Sequence, residues 1–321
     1  MRALITGILG FAGRFLARHL KQSGDEVFGL DLPLAEGALP PIGARIFPCN
    51  ITERSALAEI IKEVRPEAIY HLAAISSPPD AAAEPLTAWR VNFSGTINLY
   101  EAVRQSGFSP RILFIGSAAE YGSQKDEKCL TEDLAPLPQG PYAQSKAAAD
   151  LASLAYFKAY GLEIIRLRPF NHTGPGQSAK FVASDFARAI ALAEAGLGPK
   201  VVKVGSLSAQ RDFLDVRDVV RAYYLAVEYG KPGEVYNIAS GRFWSVKEIL
   251  DTLLGMSRVS LSIEVEQGRL RPGEKTVLLG SSEKFSKLTG WRPEIPLEKT
   301  LKDLLDWWRE RIKTSDVRRP T

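Results

Sequence analysis

The chain has 321 residues, 45% hydrophobic and 24% charged, and 41 Lys plus Arg against 37 Asp plus Glu give a net charge of +4. That length suggests two domains, or one large α/β core with a second lobe, and the composition excludes a disordered chain. The surplus is too mild to argue for nucleic acid; it lies in the tail pair Arg318–Arg319 and in scattered arginines suited to an anionic small molecule. Two cysteines, Cys49 and Cys129, cannot form a disulfide framework and point to a reducing compartment. No apolar run approaches the roughly 18 residues of a membrane span, and MRALITG lacks the apolar segment of a signal peptide. A cytoplasmic enzyme is expected, with no membrane partner.

In chain order, Arg2–Thr6 reads as a buried strand, and Phe11–Gln22 as a helix ended by Ser23–Gly24. Glu26–Leu30 and Ala44–Phe47 read as strands, Glu53–Val64 as a helix and Ala68–Leu72 as a fourth strand. A long helix is expected from Glu84 to Gln105, a strand over Arg111–Ile115, a helix over Tyr142–Tyr160 and a sixth strand over Leu162–Leu167. Nearly continuous apolar strands alternating with helices predict a doubly wound parallel sheet of the Rossmann type. After residue 170 the rhythm breaks at Gly174-Pro175-Gly176, which marks a smaller α/β lobe over 171–314, interleaved with the last elements of the sheet. Residues 315–321 read as a frayed tail.

The first strand runs into Gly7-Ile8-Leu9-Gly10-Phe11-Ala12-Gly13. Gly7 permits a tight turn, Gly10 lets backbone approach a pyrophosphate, and Gly13 lets the helix pack on the sheet. The N–H groups of the helix start, at Phe11 and Ala12, then face the phosphates. The G-x-x-G-x-x-G spacing resembles the short-chain dehydrogenase/reductase superfamily. Asp31, at the end of the second strand, is placed to accept both ribose hydroxyls of NAD and to repel the 2′-phosphate of NADP. No Arg or Lys between Leu30 and Gly43 offsets that repulsion. NAD(H) is therefore favoured, with NADP(H) kept open by Arg14. Asn50-Ile51 stands where the superfamily places Asp-Ile against the adenine, and Leu72-Ala73-Ala74 resembles its second cofactor loop.

Tyr142-Ala143-Gln144-Ser145-Lys146 puts a phenol and an ammonium on one helical face at i and i+4. A fixed cation lowers the barrier to ionising a phenol whose ordinary pKa is about 10. Ser117, after Gly116 at the end of the fifth strand, is the hydroxyl expected to bond the reacting oxygen. Three histidines and two distant cysteines give no metal site.

TGILGFAG, HLAA, Asn92-Phe93-Ser94-Gly95-Thr96, GSAAEYG, PYAQSK, RPFNHTGPGQ, RDFLDVRD and LRPGE together resemble the extended short-chain dehydrogenases that modify nucleotide sugars, the NAD-dependent epimerase/dehydratase family. The resemblance implies that Ser117, Tyr142 and Lys146 are catalytic, that Asn92 supports the active site, and that Pro169 lines the nicotinamide carboxamide. It also implies a homodimer through a four-helix bundle, for which the face of Ala147, Ala148, Ala149 and Ala152 is suited. The family's 4,6-dehydratases carry acids one and two residues after the strand-five hydroxyl, where this chain has Ala118 and Ala119; Glu120 comes one position too late and is expected to point elsewhere.

The stretches GSAAEYG, FNHTGPGQ, RDF and LRPGE most resemble the GDP-4-keto-6-deoxy-D-mannose reductase branch. That resemblance implies a GDP-linked keto-sugar reduced at C4 to GDP-D-rhamnose, with 4-epimerisation and GDP-mannose 4,6-dehydration as alternatives. It further implies Arg211 and Arg271 on the diphosphate, Asn171 on the sugar-side phosphate, Glu274 on the nucleotide ribose and Val182 beside the guanine.

Overall fold

The computed structural model describes residues 1–33, 43–124, 129–269 and 277–314. Strands β1 (Arg2–Thr6), β2 (Glu26–Asp31) and β3 (Arg45–Pro48) alternate with helices α1 (Phe11–Gln22) and α2 (Arg54–Val64), and β4 (Ala68–His71) follows. Then come the short helices α3 (Pro78–Ala83) and α4 (Pro85–Trp89), a π-helical turn over Arg90–Ser94, α5 (Gly95–Ser106) and β5 (Arg111–Ile115). A 3₁₀ turn (Ala118–Tyr121) and α6 (Gly140–Tyr160) lead to β6 (Ile164–Pro169). The rest of the chain supplies β7 (Asn171–Thr173), α7 (Val182–Glu194), β8 (Val201–Val204), β9 (Gln210–Asp215), α8 (Val216–Tyr229) and β10 (Val235–Ile238). It ends with β11 (Phe243–Ser245), α9 (Val246–Gly255), β12 (Ser262–Val265), β13 (Val277–Leu278), α10 (Glu283–Thr289) and α11 (Leu297–Thr314).

Two compact units emerge, and the chain alternates between them. One comprises Met1–Phe170, Val219–Ile238 and Ser281–Arg292; the other comprises Asn171–Asp218, Ala239–Gly280 and Pro293–Thr321. The first unit holds a seven-stranded sheet of order β10-β6-β5-β4-β1-β2-β3, parallel at every pairing. This is the Rossmann-type doubly wound sheet. Its order reverses between β1 and β4, and the crevice beyond the carboxyl ends of the strands at such a reversal is where this architecture binds ligands. Strands covered on both faces are buried along their length, as β4 and β6 are at every residue, although β6 also carries Arg166 and Arg168 inward. Leu4, Ile69, Ile112 and Ile164 of the sheet meet Leu57, Ile61, Leu99 and Val103 of α2 and α5 in one core.

The helix expected as one piece from Glu84 to Gln105 is interrupted by the π turn at Arg90–Ser94. Directly after it, a Cβ on Gly95 would come within 2.7 Å of Ile51 Cγ2, so this turn of helix lies hard against the loop after β3. The sixth strand extends to Pro169, two residues beyond the expected Leu167.

In the second unit, β9 pairs antiparallel with β11 and parallel with β7 and β13, while β8 pairs with β12. Phe186, Ile190, Ile249, Leu253, Leu301 and Leu305 form its core. The expected tail at 315–321 lies outside the described residues. No helix among the described residues is long and apolar enough to cross a membrane.

Candidate active site

The glycine loop has the geometry its spacing implies. Gly7 has φ +73°, and a Cβ there would meet Ala73 N at 2.8 Å; a Cβ on Gly13 would meet Gly7 O at 2.3 Å. The loop, the turn after β4 and the start of α1 are therefore packed backbone to backbone. Gly10 stands at the N-cap of α1, and no side chain caps the helix start. Asp31 ends β2 and ties the loop down: its Oδ2 accepts from Leu9 N at 2.8 Å and its Oδ1 from Leu32 N at 2.8 Å. Arg14 donates from Nε to Leu9 O at 2.7 Å on the same loop.

The other expected cofactor residues are held in distinct ways. Asn50 Oδ1 accepts from Thr52 N at 3.1 Å and Thr52 Oγ1 at 2.9 Å, so that oxygen is spent on a local turn rather than left for an adenine amino group. The Ile51 side chain is buried in the core. Ala73 N donates to Thr6 Oγ1 at 3.2 Å, between the half-buried Leu72 and Ala74. Pro169 closes β6 and is buried. Asn92 sits in the π turn and clamps a neighbouring backbone: its Oδ1 accepts from Ile75 N at 2.8 Å, and its Nδ2 donates to Ile75 O at 3.1 Å and to Ser145 Oγ at 3.0 Å. Ser145 immediately precedes Lys146.

Ser117, Tyr142 and Lys146 come together. Ser117 leaves β5 in an extended conformation, and its Oγ accepts from Ala119 N at 3.1 Å. The Ser117 hydroxyl lies close enough to the Tyr142 phenol to favour its ionisation. Lys146 is buried, donates from Nζ to Ile115 O at 2.6 Å and lies 5.3 Å from the centre of the Phe114 ring. Burial lowers its ammonium to about 8, against the opposing charges of Glu120 and Asp150. The Tyr142 phenol is shifted upward: burial dominates, the nearby Ser117 hydroxyl works against it and the Glu120 charge adds to it.

Glu120 turns into the interior of the protein. It is fully buried, with Oε1 accepting from Ser117 N at 2.7 Å and Oε2 from Arg168 Nε at 3.0 Å. Sequence spacing gave no sign of the Arg168 bond, although a Glu three residues after a Ser is the signature of a capping box, and that is what forms here. Of the small α6 residues expected to face a partner, Ala149 instead lies in the chain's own core, because it points toward the sheet.

The expected substrate residues of the second unit lie on β7, α7 and β9. Asn171 is exposed and pairs in register with Phe213. Val182 begins α7, half-buried against that unit's core. Arg211 Nη1 donates to Gln210 O at 2.8 Å. Asp212 beside it is buried and accepts from Ser240 N, Ser240 Oγ and Gly241 N at 2.7–2.9 Å. Arg271 and Glu274 lie outside the described residues.

A parallel dinucleotide-type sheet that carries a Ser–Tyr–Lys set at the carboxyl ends of its strands defines an extended short-chain dehydrogenase/reductase. The chain matches the family model described as GDP-mannose 4,6 dehydratase over residues 4–304, and it belongs to that family. It is 34% identical over 313 residues to the GDP-6-deoxy-D-mannose reductase of Pseudomonas aeruginosa, covering 97% of this chain and 98% of that one. Among solved structures it is similar to RMD from Pseudomonas aeruginosa complexed with NADPH, at 32% identity and a TM-score of 0.84 over 97% of this chain and 100% of that one. It is also similar to the Thermus thermophilus UDP-glucose 4-epimerase complexed with NAD, at 28% identity and a TM-score of 0.86 over 96% and 99% of the two chains.

Proposed function

We propose that the protein is a nucleotide-sugar 4-ketoreductase that converts GDP-4-keto-6-deoxy-D-mannose to GDP-D-rhamnose with a reduced nicotinamide dinucleotide. The observation that carries this reading is the content of the turn after β5. Ser117 stands near Tyr142, Ala118 and Ala119 stand where a dehydratase needs acids, and the carboxyl of Glu120 is bonded to Ser117 N and Arg168 inside the protein. A ketone reduction needs a hydride, a proton and an oxyanion donor, and no group to strip a proton from carbon. Similarity to the Pseudomonas aeruginosa reductase supports the same reading.

The glycine cradle, the uncapped start of α1 and Asp31 fit a dinucleotide. Gly7, Gly10, Phe11, Ala12 and Gly13 would hold the pyrophosphate and Asp31 the adenosine ribose. Ile51, Leu72, Ala73, Ala74 and Pro169 would line the rest of the cofactor, Asn50 offering its amide N–H groups and Asn92 bracing the backbone behind it. The carboxylate of Asp31 favours NAD(H), because it would face the 2′-phosphate of NADP(H) at short range; NADP(H) is the second candidate, with Arg14 nearby in sequence. When bound, the reduced nicotinamide supplies the hydride for C4. Tyr142 holds the proton that O4 takes up, Ser117 donates to the oxygen as charge develops on it, and Lys146 steadies the phenol side and the nicotinamide ribose. On the substrate, Arg211 and Arg271 would pair with the diphosphate, Asn171 and Glu274 would bond the sugar-side phosphate and the nucleotide ribose, and Val182 would help hold the guanine.

The apolar side chains left exposed on α4 and α6, Leu86 (85%), Trp89 (36%), Leu151 (69%) and Tyr160 (55%), favour a homodimer formed through these helices. A monomer by light scattering at micromolar concentration would remove that part of the reading.

The test is turnover of GDP-4-keto-6-deoxy-D-mannose with NADH and with NADPH, followed by NMR of the product. Stoichiometric oxidation of the nicotinamide and a 6-deoxy product reduced at C4 are expected. A protein that purifies with its nicotinamide bound and interconverts C4 epimers without consuming it is an epimerase instead. A protein that makes the 4-keto-6-deoxy sugar from GDP-mannose with NAD alone is a dehydratase.

A further inference from the structure

Behind Ser117 lies a buried group of four charged residues that the reduction itself does not use. Arg168, on β6, donates from Nε to Glu120 Oε2 at 3.0 Å and to Asp150 Oδ2 at 2.8 Å, and from Nη2 to Asp150 Oδ2 at 2.6 Å. Arg166, two residues earlier on the same strand, donates from Nη1 to Asp150 Oδ1 at 2.6 Å. The side chains of Glu120, Asp150 and Arg168 are between 0% and 6% exposed. Such a group is costly to bury and gives a well-packed apolar core no obvious loss of stability when absent, so its placement calls for a reason.

Position supplies one. Tyr142, Lys146 and Asp150 follow each other at i, i+4 and i+8 along one face of α6. Glu120 closes the turn that Ser117 opens, and holds Ser117 N at 2.7 Å. We propose that Glu120, Arg168 and Asp150 are positioning residues, a carboxyl–guanidinium–carboxylate brace that sets the Ser117 turn against the face of α6 bearing Tyr142 and Lys146. The inference rests on the reductase reading of those three residues. A second feature of the fold makes room for the brace: a Cβ on Gly116 would lie 2.4 Å from Glu120 Oε1 and 2.9 Å from Leu167 O, so glycine before Ser117 is required for the carboxyl to reach its place. Burial and the adjacent Asp150 charge push the Glu120 carboxyl well above the usual range, whereas Arg168 and Arg166 outweigh burial and hold Asp150 below it. A proton shared by the pair is favoured on the Glu120 side, from which it would be donated to Asp150 while Oε1 accepts from Ser117 N. A glutamine with its oxygen on Ser117 N would keep that bond and a donor toward Asp150 while losing only the bond from Arg168 Nε; a methionine of similar size would keep none of the three.

The experiment compares Glu120→Gln, Glu120→Met and Tyr142→Phe in the full-length protein, by steady-state reduction of the keto-sugar and by fluorescence titration with NADH. Glu120→Met is expected to lose about tenfold or more in kcat while its Kd for NADH stays within about threefold, and Glu120→Gln to recover kcat to within about threefold of the unmodified protein. A Glu120→Met protein with full kcat overturns the brace. So does a Glu120→Gln protein as inactive as Glu120→Met, since Glu120 would then be a reacting acid or base. If Glu120→Met does not fold, Gly116→Ala displaces the same carboxyl and must show the same split between kcat and Kd; full activity there overturns the brace as well. Tyr142→Phe separates the two levels: if it keeps its kcat the reductase reading fails, and if it is inactive while Glu120→Met is unaffected the brace alone fails.

Discussion

His71 Nε2 donates to the Thr96 hydroxyl at 2.9 Å, and the direction of that bond is fixed by what Thr96 does with its own proton. Thr96 Oγ1 donates to Asn92 O at 2.7 Å, so it can only accept from the imidazole. Nδ1 is then the acceptor, receiving the proton of Thr6 Oγ1 at 2.8 Å, and Thr6 in turn accepts from Ala73 N at 3.2 Å. A neutral ring with its proton on Nε2 thus joins the cofactor loops to the π turn that carries Asn92.

Burial, with the Lys146 charge adding to it, lowers the His71 pKa from 6.5 to about 3. The unfolded chain therefore binds a proton that the folded chain refuses, and stability is lost as pH falls below 6.5, down to about 3. Between pH 6.5 and 5 this group alone should remove about 2 kcal/mol. Urea unfolding at the two pH values in the unmodified protein and in His71→Gln checks this, the variant having the shallower dependence; imidazole ¹⁵N shifts should show the Nε2–H form.

Removing the proton donor or the oxyanion donor should act on kcat. Tyr142→Phe is expected to lower kcat by about 10²- to 10⁴-fold, and Ser117→Ala by about 10²- to 10³-fold. Fluorescence titration with NADH should give nearly unchanged Kd values, because neither hydroxyl holds the dinucleotide's phosphates.

The pH profile of kcat/KM for NADH reports groups of the free enzyme. Lys146 is charged below about 8 and neutral above it, so kcat/KM should be level below that pH and fall toward tenfold per unit above it. Tyr142, shifted upward by burial, loses its proton later and does not set the first limb. Lys146→Met should lower the whole profile and flatten it.

Asp31→Ser removes a carboxylate that faces a 2′-phosphate and an acceptor for the ribose. The ratio of kcat/KM for NADH to that for NADPH should fall by about tenfold or more. Because Asp31 also holds Leu9 N, part of the loss with NADH should appear as weaker binding in a direct titration.

Local signals carried most of the first unit. Glycines 7, 10 and 13, the apolar runs of the strands and the Tyr142–Lys146 spacing each act through neighbours a few residues away, and they gave the sheet, the loop and the phenol–ammonium pair. What escaped depends on pairings distant in the chain. In the π turn at Arg90–Ser94 one side chain, Asn92, serves Ile75 and Ser145 at once. The inward turn of Glu120 needs Arg168, 48 residues away, and the upward shift of the Tyr142 phenol comes from enclosure that spacing cannot reveal. For the substrate residues, the second unit offers few repeating local patterns, so Asn171, Val182 and Arg211 were legible only through resemblance.

The alternation of the chain between its two units has a consequence for anyone who would shorten it. A fragment that stops at Phe170 keeps every catalytic candidate yet lacks β10, the strand that pairs with β6 from Val235↔Arg166 to Ile238↔Pro169. It would expose an open sheet edge along a strand buried at all six positions, a template for intermolecular aggregation, and it would also strand the Tyr121 hydroxyl without Asn237. The first unit thus carries all its catalytic candidates by residue 170 but is closed as a solid only when Val219–Ile238 and Ser281–Arg292 have joined it.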